Sequence, residues 1–162
     1  MTDERMGDTL GAAIARAAEA GAGVIVRHDH SSAAIRRALA SEVLASGAVL
    51  GLSRDPLLAV DLGADFVHNP VGESGALPFS LSVHDDAQAR EAARRSPAFV
   101  FVSPLYATRS HPDAEPLGEA KAAQLAALAG CPAYALGGVT QSRGKKLIAR
   151  GWAGWAAIDA WA

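Results

Sequence analysis

The sequence predicts an α/β fold in which parallel strands alternate with helices along the chain. Two observations support this prediction. Short runs rich in Val, Ile, Leu and Phe recur through the 162 residues, and Ala-rich segments with apolar residues at helical spacing separate them. Most of the runs are apolar at consecutive positions, which is typical of strands buried on both faces of a parallel sheet. No linker or break in composition interrupts the alternation, so we expect one domain over residues 1–162.

The pattern predicts seven strands and six helices. The strands cover residues 23–27, 48–52, 65–68, 79–82, 99–102, 133–136 and 154–158. The helices cover residues 7–20, 32–46, 56–62, 86–95, 118–129 and 141–150.

Local signals mark where several of these helices begin and end. In the second helix, Ile35, Leu39 and Val43 recur at helical spacing and predict one buried stripe, with Arg36 and Arg37 directed away from it. Ser31 is the expected N-cap of that helix. Elsewhere the predicted N-caps are Asp55, Asp85 and Thr140, and the glycines expected just beyond helix ends are Gly63, Gly130 and Gly151.

Composition narrows the classes of partner and compartment. The chain has 15 basic and 17 acidic residues, which gives no reason to expect a nucleic-acid or membrane partner. A single cysteine excludes an internal disulfide and fits a cytoplasmic setting. No apolar run approaches the ~18 residues of a membrane span. The sequence does not indicate the oligomeric state.

Two architectures fit the order of elements, an open doubly wound sheet and a closed (β/α)₈ barrel. In both, ligands bind at the carboxyl ends of the strands, so polar residues directly after the strands are candidate site residues. These are Arg27-His28-Asp29, Ser53-Arg54-Asp55, His68-Asn69, Ser82-Val83-His84, residues 103–118, Gly137-Gly138 and Asp159.

Three of these places could bind phosphate, and each has a structural alternative. In residues 103–118, Thr108, Arg109, Ser110 and His111 combine hydroxyls with cationic groups, although a solvated loop is an equal alternative. Gly137-Gly138 precedes a helix and allows backbone N–H groups to approach a phosphate, or it simply forms a tight turn.

Arg27, at the end of its strand, needs either an anionic ligand or an ion pair with Asp29 or Asp55. The sequence leaves these two alternatives open.

The order of the motifs resembles the thiamine-phosphate synthase family and its thiazole tautomerase relatives. The matching segments are G-A-D-F-V-H (63–68), S-V-H (82–84), S-P-L-Y-A-T-R-S-H-P-D-A-E-P-L-G (103–118) and A-L-G-G-V-T (135–140). The resemblance implies a compact (β/α)₈ barrel. It also implies an enzyme that couples hydroxymethylpyrimidine pyrophosphate to thiazole phosphate, using Mg²⁺ to help the pyrophosphate leave.

The resemblance also assigns roles to individual residues. It implies that Arg27 holds the pyrophosphate, that Ser82 lines the pyrimidine site and that His111 stands where the family has a lysine; these are the candidate catalytic residues. The thiazole phosphate is assigned to Thr108, Ser110, Gly137 and Gly138, with Arg54 and Arg109 as further cations and Glu73 as a possible metal ligand.

Several positions depart from the family pattern. Asp29 replaces a lysine, Ser53-Arg54 replaces the Asn-Asp pair that binds magnesium, and Asp159 replaces a serine. Pro104 stands where the tautomerase has its histidine. These substitutions support an alternative, a non-catalytic or divergent barrel that binds a phosphorylated ligand and has lost the magnesium site. A barrel acting on another phosphorylated small molecule is a third hypothesis.

The resemblance makes the chain short for a complete barrel, which usually has ~200 residues or more. Met1-Thr2-Asp3 resembles the last residues of the family's first strand. The expectation is therefore a barrel whose first strand is truncated to a stub, with a natural reading frame that starts roughly ten residues earlier.

Overall fold

A computed structural model describes residues 1–108, 114–158 and 160–161, which fall into two compact units. The first unit contains Met1–Phe79 together with Trp161, and the second contains residues 80–160. The prediction of one domain over the whole chain stays a prediction.

The first unit contains three parallel strands, which are adjacent in chain order: β1 (Val24–Val26), β2 (Leu50–Ser53) and β3 (Phe66–His68). Val24 lies opposite Leu50, and Gly51 lies opposite Phe66. Strands buried on both faces explain the consecutive apolar positions, and the core includes the fully buried Val26 and Leu52. In chain order the elements are a 3₁₀ helix (Glu4–Thr9), α1 (Leu10–Glu19), β1 (Val24–Val26), α2 (Ala33–Ala45), β2 (Leu50–Ser53), α3 (Pro56–Asp61) and β3 (Phe66–His68).

The second unit contains four parallel strands, which are adjacent in chain order: β4 (Phe79–Val83), β5 (Phe99–Val102), β6 (Ala133–Leu136) and β7 (Gly154–Ala156). Phe99, Phe101 and Tyr134 pack edge-on or tilted on adjacent strands, with ring centroids 5.3 to 5.7 Å apart. In chain order the elements are β4 (Phe79–Val83), α4 (Asp86–Arg95), β5 (Phe99–Val102), α5 (Gly118–Ala129), β6 (Ala133–Leu136), α6 (Gln141–Ile148) and β7 (Gly154–Ala156).

The predicted helix starts are confirmed at Asp55, Asp85 and Thr140, whose side chains each accept a hydrogen bond from a backbone N–H three residues later. The prediction of Ser31 as the N-cap of α2 is wrong by one residue. Ser32 has the extended backbone of a cap and accepts from Ile35 N–H, whereas the Ser31 hydroxyl donates to Glu4 at 3.0 Å.

The buried face of α2 also differs from the prediction. The structure buries Arg36, Ala40 and Val43, and it leaves Ile35 50% exposed. The helical period is the same, but the face is rotated by about one residue. The reason is that the Arg36 guanidinium has a partner at the end of β2, which an apolar-only pattern ignores.

All seven predicted strands are present and the α/β class is confirmed. Thr2 N–H donates to the Ile25 carbonyl at 2.8 Å, so the backbone at Thr2 lies beside β1, where the resemblance placed a strand stub. Seven strands are found among the described residues, and the closed eight-stranded barrel stays a prediction.

Candidate functional site

The carboxyl ends of β1 and β2 lie at one edge of the first unit, because these two strands are parallel neighbours. Arg27 follows β1 and is half-buried, and its N–H donates to Thr2 Oγ1 at 2.9 Å. Arg54 follows β2, is exposed, and has a left-handed φ of 70°. Its N–H donates to the His68 carbonyl and its carbonyl accepts from Val71 N–H, both at 2.8 Å. Two of the predicted cations therefore share one edge.

Arg27 forms neither of the ion pairs that the sequence offered as alternatives to a ligand. In the described part of the chain, the Asp29 carboxylate contacts Ser53 and Arg36, and Asp55 caps α3 by accepting from Leu58 N–H at 2.9 Å. The Met1 amino group has its pKa lowered to about 5, first by burial and then by the charge of Arg27.

A buried arginine that the sequence did not predict stands at the same edge. The Arg36 side chain is 9% exposed, its Nη2 donates to the Ser53 carbonyl, and it lies 4.0 Å from Asp29 Oδ1. The Ser53 hydroxyl donates to the other Asp29 oxygen at 3.2 Å. Arg36 Nε is buried, and within the described part of the chain it has no hydrogen-bond partner.

The residues at the implied magnesium position do not fit that ion. Mg²⁺ is usually bound through one or two carboxylates. Ser53 is instead buried with its hydroxyl directed at Asp29, and Arg54 is a cation. Glu73 lines a groove with Arg54, Leu57, Val60 and Val71. Across the described residues, no group of three or more His, Cys, Asp or Glu side chains could hold a metal.

In the second unit, the Gly137-Gly138 turn packs against the segment that follows β5. Leu105 N–H donates to the Leu136 carbonyl at 2.8 Å, and Tyr106 N–H donates to the Gly137 carbonyl at 3.0 Å. Gly138 has a φ of 63°, and a Cβ there would lie 2.4 Å from the Ala107 carbonyl oxygen. These contacts require glycine whether or not a phosphate binds, so the glycines alone do not identify a phosphate site.

Side-chain contacts also connect the same segment to α5 and α6. The Tyr106 hydroxyl donates to Glu119 at 2.7 Å, and the Arg143 guanidinium lies 4.4 Å from the centre of the Tyr106 ring. Arg143 also donates to the Gly138 carbonyl at 2.8 Å, and Arg150 pairs with Glu119. Burial and the Glu119 hydrogen bond raise the pKa of Tyr106.

Ser82 lies inside β4, half-buried and opposite Phe101, rather than after the strand. Two residues later, His84 Nδ1 lies 2.7 Å from the Ser103 carbonyl, which can only accept. The proton is therefore on Nδ1. The sequence placed His84 among the candidate site residues that follow this strand.

Thr108 is half-buried, and the predictions for Arg109, Ser110, His111 and Asp159 lie outside the described residues. Sequence reasoning missed Arg36 and the contacts of Tyr106. A signal for Arg36 did exist, because positions 36, 40 and 43 have helical spacing as good as that of 35, 39 and 43.

No helix in the described ranges is both long and apolar enough to cross a membrane.

Comparison with known proteins gives a match to the family model described as thiamine monophosphate synthase over residues 1–161. A putative thiamine-phosphate synthase 2 of Aquifex aeolicus is 34% identical over 79 residues, which is 49% of this chain and 42% of that protein. A thiamine-phosphate synthase of Listeria monocytogenes is 29% identical over 124 residues, 67% of this chain and 57% of that protein. The chain thus spans roughly half the length of these relatives.

Among solved structures, a thiamine phosphate pyrophosphorylase from Pyrococcus furiosus superposes with a TM-score of 0.79 at 20% identity, covering 98% of this chain and 83% of the other. A thiamine phosphate pyrophosphorylase from Bacteroides thetaiotaomicron superposes with a TM-score of 0.63 at 20% identity, covering 97% and 79%. At this identity the likeness establishes the fold.

Proposed function

The chain belongs to the thiamine monophosphate synthase family, and from this we propose that it couples hydroxymethylpyrimidine pyrophosphate to thiazole phosphate. The bond between the pyrimidine methylene carbon and the pyrophosphate oxygen breaks, and the resulting carbocation is captured by the thiazole nitrogen. Pyrophosphate leaves with the bonding electrons. The observation that supports this proposal best is the family match over residues 1–161.

The residues of each unit suit one part of this reaction. In the first unit, the edge with Arg27 and Arg54 offers positive charge for a pyrophosphate, since guanidinium groups match phosphate oxygens in geometry. In the second unit, Gly137-Gly138 precedes α6, whose amino end favours an anion. Thr108 and Ser110 are proposed to hold the thiazole phosphate, and Ser82 to line the pyrimidine.

The family resemblance also implies Mg²⁺, and the donor set at Ser53, Arg54 and Glu73 does not fit it. Positive charge at the leaving group comes from arginines in this proposal.

The test is an assay of pyrophosphate release with both substrates, run with magnesium and with a chelator. Arg27→Ala should reduce kcat/KM by about one to two decades, because one charge-assisted contact contributes ~1.5–3 kcal/mol. Arg37→Ala is the control, since Arg37 lies on α2 and pairs with Asp61 on the surface. If the unmodified protein releases no more pyrophosphate than Arg27→Ala, the synthase proposal fails.

A second candidate is a non-catalytic module that binds a phosphorylated ligand. The replacement of metal ligands by Ser53-Arg54 and the carboxylate of Asp29 favour it. Calorimetry separates the two: a module binds thiazole phosphate or thiamine phosphate in chelator and releases no pyrophosphate from the two substrates. Binding that strictly required magnesium would contradict the module.

A further inference from the structure

We propose that Arg36 is an anion-binding residue that takes the place of a metal ion, and that Asp29 covers it until a phosphate or pyrophosphate displaces the carboxylate. The proposal rests on the proposed function in that the ligand is the pyrophosphate end of the substrate. It goes beyond that function by naming a binding residue on α2, Arg36, and the carboxylate that contacts Arg36 when no ligand is bound, Asp29.

The first argument is that the Arg36 side chain is held in place more firmly than the Asp29 side chain. The guanidinium of Arg36 is more than nine-tenths buried and is anchored by the Ser53 carbonyl. Asp29 is held weakly, because its contact with Arg36 is 4.0 Å long and its hydrogen bond from Ser53 is 3.2 Å, well above the usual 2.7–2.8 Å for such bonds. The carboxylate can therefore leave more easily than the guanidinium.

The second argument is the unused hydrogen-bonding capacity of Arg36. Its Nε is a buried donor that has no partner among the described residues, and such donors are rare because each one forfeits hydrogen bonds made in water. A guanidinium presents Nε and the Nη groups as a fork that fits two oxygens of a phosphate. Asp29 satisfies neither fork position at normal distance, so the site is incomplete without a better acceptor.

The third argument is the charge at this edge. Arg27 and Arg54 follow the adjacent strands β1 and β2, and Arg36 donates to the last residue of β2. Asp55 is engaged as a helix cap, and the ion-pair contact of Arg36 within the described residues is with Asp29. Removal of Asp29 from the guanidinium leaves positive charge that a pyrophosphate can neutralise without a divalent cation.

The experiment is calorimetric titration of the full chain with inorganic pyrophosphate in a chelator and in magnesium. A neighbouring surface pair, Arg37 on α2 with Asp61 on α3, provides matched controls, because both side chains are at least half exposed. The variants are Asp29→Asn and Arg36→Lys, compared with Asp61→Asn and Arg37→Lys.

Three results are expected. Binding occurs in chelator, Asp29→Asn strengthens it several-fold, and Arg36→Lys weakens it by about tenfold or more because the fork is lost. The two control variants bind like the unmodified protein. Asp29→Asn changes a partly exposed residue, and the amide oxygen of the asparagine can still accept from Ser53, so this variant should remain folded. The Asp29→Asn measurement therefore tests the proposal even if Arg36→Lys destabilises the protein.

Absence of binding in chelator overturns the proposal, and so does equal affinity of Asp29→Asn and Asp61→Asn. The synthase assay is independent of this outcome. If the protein turns over both substrates but Asp29→Asn does not change pyrophosphate binding, the proposed function holds and the role of Arg36 is wrong. Metal-free binding without turnover keeps the role of Arg36 and favours the binding module.

Discussion

The strand ends of the two units are built by different means. In the second unit, the Gly137-Gly138 turn is fixed by backbone contacts with residues 104–107, and side-chain contacts of Tyr106 reinforce it. In the first unit, charged side chains define the edge, and the Asp29 contacts are long. A backbone contact tolerates few substitutions, whereas a side-chain site can change its chemistry by exchanging residues. The Gly137-Gly138 turn should therefore tolerate fewer substitutions than the edge formed by Arg36 and Asp29.

The largest effect should come from breaking the backbone contact. Gly138→Ala combines a left-handed φ with a Cβ only 2.4 Å from the Ala107 oxygen, so we expect a loss of about 2–4 kcal/mol in the free energy of unfolding. Gly130→Ala is the control, because Gly130 has a similar φ of 69° and open space around it. It should lose about 1 kcal/mol in urea denaturation. Equal losses for the two variants would show that the contact with Ala107 is unimportant.

A smaller loss of stability is expected at the strand ends of the first unit, where charged side chains make the contacts. Arg36→Ala removes a buried guanidinium and leaves the Ser53 carbonyl without its donor, so stability should fall by about 1–3 kcal/mol. Arg37→Ala removes an exposed ion pair and should change stability by no more than about 0.5 kcal/mol. Urea denaturation of both variants measures the difference. A larger loss for Arg37→Ala would contradict the assigned burial.

The smallest effect concerns Tyr106 at alkaline pH. Its pKa is raised in the folded protein, first by burial and then by Glu119, so the unfolded chain loses the phenol proton first. Its contribution to stability is complete below the ordinary value of 10.0 and declines as the pH rises through the raised value. Tyr106→Phe should flatten that decline while changing stability at neutral pH by about 1 kcal/mol or less.

Denaturation at several pH values measures the decline, and ultraviolet titration of tyrosinate locates the ionisation. An unchanged alkaline profile in Tyr106→Phe would show that another group is responsible.

Much of the fold was predictable because it depends on local patterns. Short runs rich in Val, Ile, Leu and Phe identified all seven strands. Asp55, Asp85 and Thr140 marked helix starts, since each cap bonds a backbone N–H only three residues away. The α2 face was mispredicted because the partner of Arg36 lies 17 residues away at Ser53. A pattern of polarity on one helix contains no information about a distant carbonyl.

The site divides in the same way. The sequence identified Arg27, Arg54 and Gly137-Gly138 as residues that directly follow strands, because the strands themselves are recognisable from local pattern. It could not show that Asp29 faces Arg36 instead of Arg27, or that the turn glycines are required by Pro104 to Ala107. Both contacts join residues on different secondary-structure elements, and local sequence patterns do not encode the distances between such elements.

The sequence by itself determined the α/β class, the order of strands and helices, and the family, because these depend on periodicity and motif order. The tertiary structure alone decided that Asp29 faces Arg36, and that the backbone at Ala107 lies against Gly138. The physical reason is that hydrogen bonds and close contacts act over a few ångströms, and only folding brings residues distant in the chain within that range.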